Sequence, residues 1–184
     1  MTRLAVRRLG RCALSGAALL GLTLGTSVGY AAVRAPPDPR VAAATFVAAC
    51  WHGLRDPAGF RRAIRRSPLG FRLMDVSGST SRYSGPMAIH MTPDRSCVAH
   101  LRFFEEADIG RFFEAISRGT GLGAPSAETN PVAPLLRVYR WPEQPASGRR
   151  LVLQATVTPP DGHTRPEPQG LRVALSASFL AAED

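Results

Sequence analysis

Apolar positions recur along the chain with two different periods. Between residues 41 and 54 the period is helical. Phe46, Cys50 and Leu54 stand at i, i+4 and i+8, and Val47 and Trp51 widen the stripe. Asp38-Pro39 ahead of it supplies an N-cap and a first-turn proline. Gly53 weakens the helix end, and Asp56-Pro57 repeats the start signal. A short second helix is therefore expected over residues 57–66. Phe60, Ala63 and Ile64 form its buried side, and Arg61, Arg62, Arg65 and Arg66 its wet side. Ser67-Pro68-Leu69-Gly70 stops it. The same period returns over residues 105–118, with Ile109, Phe112, Phe113 and Ile116 toward the core. Glu105, Glu106 and Asp108 suit its positive end and Arg118 its negative end. Gly119 and Gly121 close it.

Elsewhere the period is that of strands. Residues 71–76, 87–91 and 96–104 read as extended, the last with Cys97, Ala99, Leu101 and Phe103 on one face. Three more strands are expected at residues 135–141, 150–158 and 171–180. Polar or proline- and glycine-rich connections fill residues 77–85, 92–95, 119–134 and 159–170. The element order is then αβββαβββ. Consecutive strands with short connections pair antiparallel, and each helical stripe needs a sheet face to cover. The expectation is a single α+β domain over residues 32–184. It is a two-layer sandwich, with an antiparallel sheet of about six strands and the helices on one face.

The N-terminus follows a different logic. Arg3, Arg7, Arg8 and Arg11 precede a run from Cys12 to Val28 that is apolar or small, and Gly29-Tyr30-Ala31 ends it. This is the three-part plan of a secretory signal peptide, cut after Ala31, and it implies a periplasmic or secreted protein. The alternative is an uncleaved anchor, but the run is short and Ser15, Thr23, Thr26 and Ser27 dilute it. Arg7-Arg8 matches a twin-arginine signal only weakly, which leaves the export route open. Arg11 precedes Cys12 and the apolar run follows it, the wrong order for lipidation, so Cys12 leaves with the signal.

The signal changes the meaning of the composition. The 184 residues carry 23 basic side chains and 14 acidic ones, a net charge of +9. Every basic residue is arginine. Without lysine, Schiff-base and P-loop chemistries are excluded. Cleavage after Ala31 removes four arginines and no acid and leaves a charge of about +5. Much of the basicity is thus targeting, and a nucleic-acid partner loses its support.

Export also bears on Cys50 and Cys97. In an oxidising compartment they are expected to pair, pinning a helix to a strand; two buried free thiols or a redox pair are the alternatives. Phe46-x-x-x-Cys50 in a helix followed by Cys97 in a strand resembles a group of small, uncharacterised secreted proteins of proteobacteria. The resemblance implies a periplasmic disulfide protein and brings no activity with it.

Candidate chemistry is sparse. His52, His90, His100 and His163 show no metal-ligand spacing. If residues 92–95 form an even hairpin loop, His90 falls on the opposite sheet face from His100; only a bulge or an odd register brings the two together. There is no G-x-S-x-G elbow, and the serine-dense Ser77-Gly78-Ser79-Thr80-Ser81 reads as a loop. Glu105 and Glu106 point apart on a helix. Gly119-Thr120-Gly121-Leu122-Gly123 follows a helix rather than opening one, so it is a stop and not a phosphate cradle. No catalytic, metal or cofactor residue is expected. Arg61, Arg62, Arg65 and Arg66 form either a solvated face or a contact for an anionic partner such as a lipid headgroup, a polysaccharide or an acidic protein. The sequence thus predicts an exported, non-enzymatic binding or envelope-associated module. Its partner is an anionic envelope component or another periplasmic protein, and membrane contact runs through the arginine face or an uncleaved N-terminus. A small periplasmic hydrolase with a dispersed site is the alternative.

Overall fold

The computed structural model describes residues 35–77, 80–94, 96–129, 136–146, 149–158 and 170–181. The expected signal segment with Cys12, and the turn holding His163, lie outside the described residues. Asp38 caps the first helix, α1 (Pro39–Phe46): its Oδ1 accepts from the amides of Arg40 and Val41 at 2.8 and 3.2 Å. A π-helical segment, Val47–Trp51, continues it and buries Val47, Ala49, Cys50 and Trp51. The predicted stripe is therefore real, but its second half winds more widely than an α-helix. Gly53 follows, where a Cβ would stand 1.8 Å from the Ala49 carbonyl oxygen and 2.8 Å from Phe60 Cβ. The residue read as a helix weakener is one that only glycine can fill. Asp56 caps α2 (Pro57–Arg66), its Oδ1 accepting from the Ala58 amide at 3.0 Å.

Four strands follow: β1 (Arg72–Ser77), β2 (Thr80–Ser84), β3 (Ala88–Met91) and β4 (Cys97–Phe103). Next is α3 (Glu106–Thr120), closed by Gly121 at φ 74°, a left-handed conformation that glycine adopts without strain. Five strands complete the chain: β5 (Ser126–Thr129), β6 (Arg137–Arg140), β7 (Gln144–Ala146), β8 (Arg149–Thr158) and β9 (Leu171–Ala181). The described residues belong to one compact unit.

The α+β class stands, but among the described residues the sheet has nine strands rather than about six, all their pairings antiparallel, in the order β1-β2-β3-β4-β9-β8-β6-β5 with β7 also on β8. The doubled αβββ order is replaced by two helices, four strands, one helix and five strands. The additions are β2, β5 and β7, with sequences TSRYS, SAET and QPA. None carries an apolar alternation. They are strands because a neighbour offers an unpaired edge, a tertiary cause that propensity does not register. β9 lies between β4 and β8, so the last strand joins the two halves into one sheet.

One face of the sheet is core. On β4, Cys97, Ala99, Leu101 and Phe103 are buried; on β8, Leu151, Leu153, Ala155 and Val157; on β9, Val173, Leu175 and Ala177. The helices cover this face. Phe103 meets Phe112 of α3 at 5.4 Å between ring centroids, and Phe113 meets Tyr139 of β6 at 4.7 Å. Trp141 donates its indole N–H to Ser117 Oγ at 2.7 Å, so its one polar atom is satisfied inside the core. Cys50 and Cys97 are bonded, with Cα atoms 5.3 Å apart. The expected pin between helix and sheet is present.

Candidate functional sites

Three regions carry chemistry outside the core. The first is the outer surface of the helix layer. The amphipathic spacing of α2 buries Phe60 and Ile64 and leaves Arg61, Arg62, Arg65 and Arg66 exposed or at the rim. Arg62 pairs with Asp56 at 2.7 Å across an exposed surface, a contact of small energetic weight. The backbone amide of Gly59 hydrogen-bonds the Asp56 carboxylate and, with the Arg62 charge and the Ala58 amide, holds its pKa below the ordinary value. Between α1 and α2 runs an apolar groove of about 510 Å³, walled by Val41, Ala44, Ala48 and Ala63 with Arg62 and Arg66 at its edge. A second groove, about 390 Å³, lies between α1 and α3 and is lined by His52, Arg40 and Arg118 among others.

The second region is a recess of about 900 Å³ at the end of the sheet. Phe179 and Ala146 lie in it, and Arg55, Asp94 and Arg149 line it from three separate parts of the chain. Asp94 is ionised and occupied. Its carboxylate accepts from the Thr92 hydroxyl and from Ser96 Oγ at 3.2 Å, and its pKa is lowered, first by the Thr92 bond. Sequence reasoning missed this recess because its three charged residues come from a helix-end turn, a hairpin loop and a strand start. No spacing links them.

The third region is the sheet face turned away from the helices. The β3–β4 register pairs Met91 with Cys97, His90 with Val98 and Ala88 with His100. The connection is thus five residues, 92–96, closed by the Thr92 amide donating to the Ser96 carbonyl at 2.8 Å. Of the two cases, the odd register is the one present. The consequence is a change of parity: His90 and His100 share a face and stack, with centroids 5.8 Å apart and 16° between planes. Arg82 of β2 stands directly opposite His90. Burial lowers the His90 pKa below 6.5, and the positive charges of His100 and Arg82 lower it further.

The remaining candidates do little together. Glu105 occupies the N-cap position of α3, and Glu106 ion-pairs with Arg137 of β6, whose pKa that bond raises. None of the three cavities sets a histidine beside a serine or an acid. Among the described residues no three His, Cys, Asp or Glu side chains converge as metal ligands, and no helix is long and apolar enough to cross a membrane.

Comparison with known proteins gives no match: no family model fits the chain, and no curated protein or solved structure is significantly similar to it.

Proposed function

We propose that the chain is an exported, periplasmic, non-enzymatic binding module that docks on an anionic lipid surface through its helix layer. One observation carries the reading: an apolar groove between α1 and α2 edged by guanidinium groups, with Arg61 and Arg65 on the exposed surface beside it. An anionic amphiphile needs both elements, a recess for its apolar part and cations for its headgroup. Arginine suits the task because its planar fork holds phosphate bidentately. Export is supported by the N-terminal signal pattern, and an oxidising compartment by the buried Cys50–Cys97 bond.

Co-sedimentation of the exported protein with vesicles tests this. Retention is expected on phosphatidylglycerol-containing vesicles and not on neutral ones. Each basic residue near such a surface contributes about 1 kcal/mol. The combined R61E/R62E/R65E/R66E variant is therefore expected to lose retention altogether. Undiminished retention would remove the reading.

A further inference from the structure

The open face of the sheet carries a basic band with no acid inside it. Arg82 on β2 faces His90 on β3 across one strand pair. His90 stacks on His100 of β4, and Arg102 lies two residues further along β4 on the same face. Among the described residues of β2, β3, β4, β9 and β8, this face presents no carboxylate. Beyond those strands, Asp75 on β1 stands opposite Arg82, Glu128 on β5 pairs with Arg140, and Glu143 pairs with Arg150 at the far end of β8. Like charges facing each other across strands cost a sheet stability, and such local violations gather where a surface has a task. Beside the band the face continues with Ser176, Gln154 and Thr156, half-buried hydroxyl and amide groups in register with it. Val98 and Ala174 are the apolar side chains between them. The surface is hydrophilic, made of strands about 4.8 Å apart, and it matches an extended, hydroxylated anion better than a lipid.

We propose that this face binds an acidic oligosaccharide, its anionic groups on Arg82, His90, His100 and Arg102 and its hydroxyls on Ser176, Gln154 and Thr156. This site lies on the side of the sheet opposite the helix layer and does not rest on the lipid reading. An anion seated here offsets the repulsion between His90, His100 and Arg82. Binding therefore takes up a proton and tightens as pH falls. The charged groups facing His90 are Arg82 on β2 and His100 on β4; Arg102 and Arg172 lie one row further and Asp75 beyond Arg82. Among the described residues of the neighbouring strands, Asp75 opposes the effect, from the far side of Arg82.

Calorimetric titration of the exported protein with a heparin-derived hexasaccharide at low salt tests the proposal. Its sulfates stay ionised throughout, so any pH dependence belongs to the protein. Binding is expected, about tenfold tighter near pH 5.5 than near pH 7.5, the change for a one-unit rise in a histidine pKa. R82E/R102E is expected to weaken it by about tenfold or more, since it removes two charge-assisted contacts. R61E/R65E, which changes net charge equally but on α2, is expected to retain binding within about threefold and to lose vesicle retention. H90Q/H100Q is expected to flatten the pH dependence. Absence of binding, equal weakening in the two charge-matched variants, a greater loss in R61E/R65E, or binding independent of pH would each overturn the proposal. Thermal midpoints of the variants separate loss of the face from loss of the fold.

Discussion

Arg102 and Phe103 are neighbours on β4, and they belong to different worlds. Phe103 is fully buried against Phe112, and the Gly170 backbone packs so closely on it that a Cβ there would meet the Phe103 carbonyl oxygen at 2.4 Å. Arg102 is exposed on the open face, opposite Arg172. The contrast holds on β4, β8 and β9 at the centre of the sheet: the helix-covered face is apolar and closed, while the other carries the basic and hydroxyl groups, with Leu180 exposed at its end. Packing is concentrated on the first face, and the charged side chains Arg82, His90, His100 and Arg102 on the second. The two can therefore be altered independently.

The strongest test of that separation is the pair itself. Phe103→Ala is expected to cost about 3–5 kcal/mol, the usual range for emptying a phenylalanine site in a packed core. Arg102→Ala is expected to stay within about 0.5 kcal/mol of the parent. Unfolding in guanidinium chloride measures both, and comparable losses would break the contrast.

The disulfide ranks next. Cys50 and Cys97, separated by 47 positions and both fully buried, tie the π-helical segment to the core face of β4. Replacing both by alanine is expected to cost about 2–4 kcal/mol, because the unfolded chain regains the freedom of that loop. Intact folded protein is expected to resist reduction until it unfolds. Free thiols detected by alkylation in the native, unreduced protein would contradict the bond.

How much of this was legible in the sequence follows the same division. The core face was readable, because Cys97, Ala99, Leu101 and Phe103 alternate strictly and the Phe46, Cys50, Leu54 stripe gave them a partner. The export signal suggested the bond that joins them. The open face was not readable. Whether His90 and His100 share it depends on the length of the β3–β4 connection, and moving the register by one residue sends a side chain to the other side. Residues 92–95 carry ordinary turn signals that fit an even loop as well as the observed five-residue one. The short strands β2, β5 and β7 were equally hidden, since their pairing partners rather than their side chains make them strands. The recess at Arg55, Asp94 and Arg149 had no sequence signal at all.

The smallest effect concerns the parity of the two histidines most directly. His90 in the folded protein holds its proton less tightly than the ordinary value of 6.5, first through burial, then through His100, then through Arg82. The unfolded chain therefore binds more protons as pH falls below that value. His90 favours folding above about pH 6.5, and this contribution is lost as pH falls through its lowered pKa. Removing a neighbouring charge weakens the depression. His100→Gln is expected to move the His90 titration midpoint up toward the ordinary value and to reduce the acid-side loss of stability. Arg82→Gln is expected to do the same to a smaller extent, in keeping with its lesser contribution. The His90 imidazole proton, followed by NMR across the range from about pH 5 to about pH 8, reports both midpoints. An unmoved midpoint in His100→Gln would mean that the two rings do not share a face, and the basic band would lose its centre.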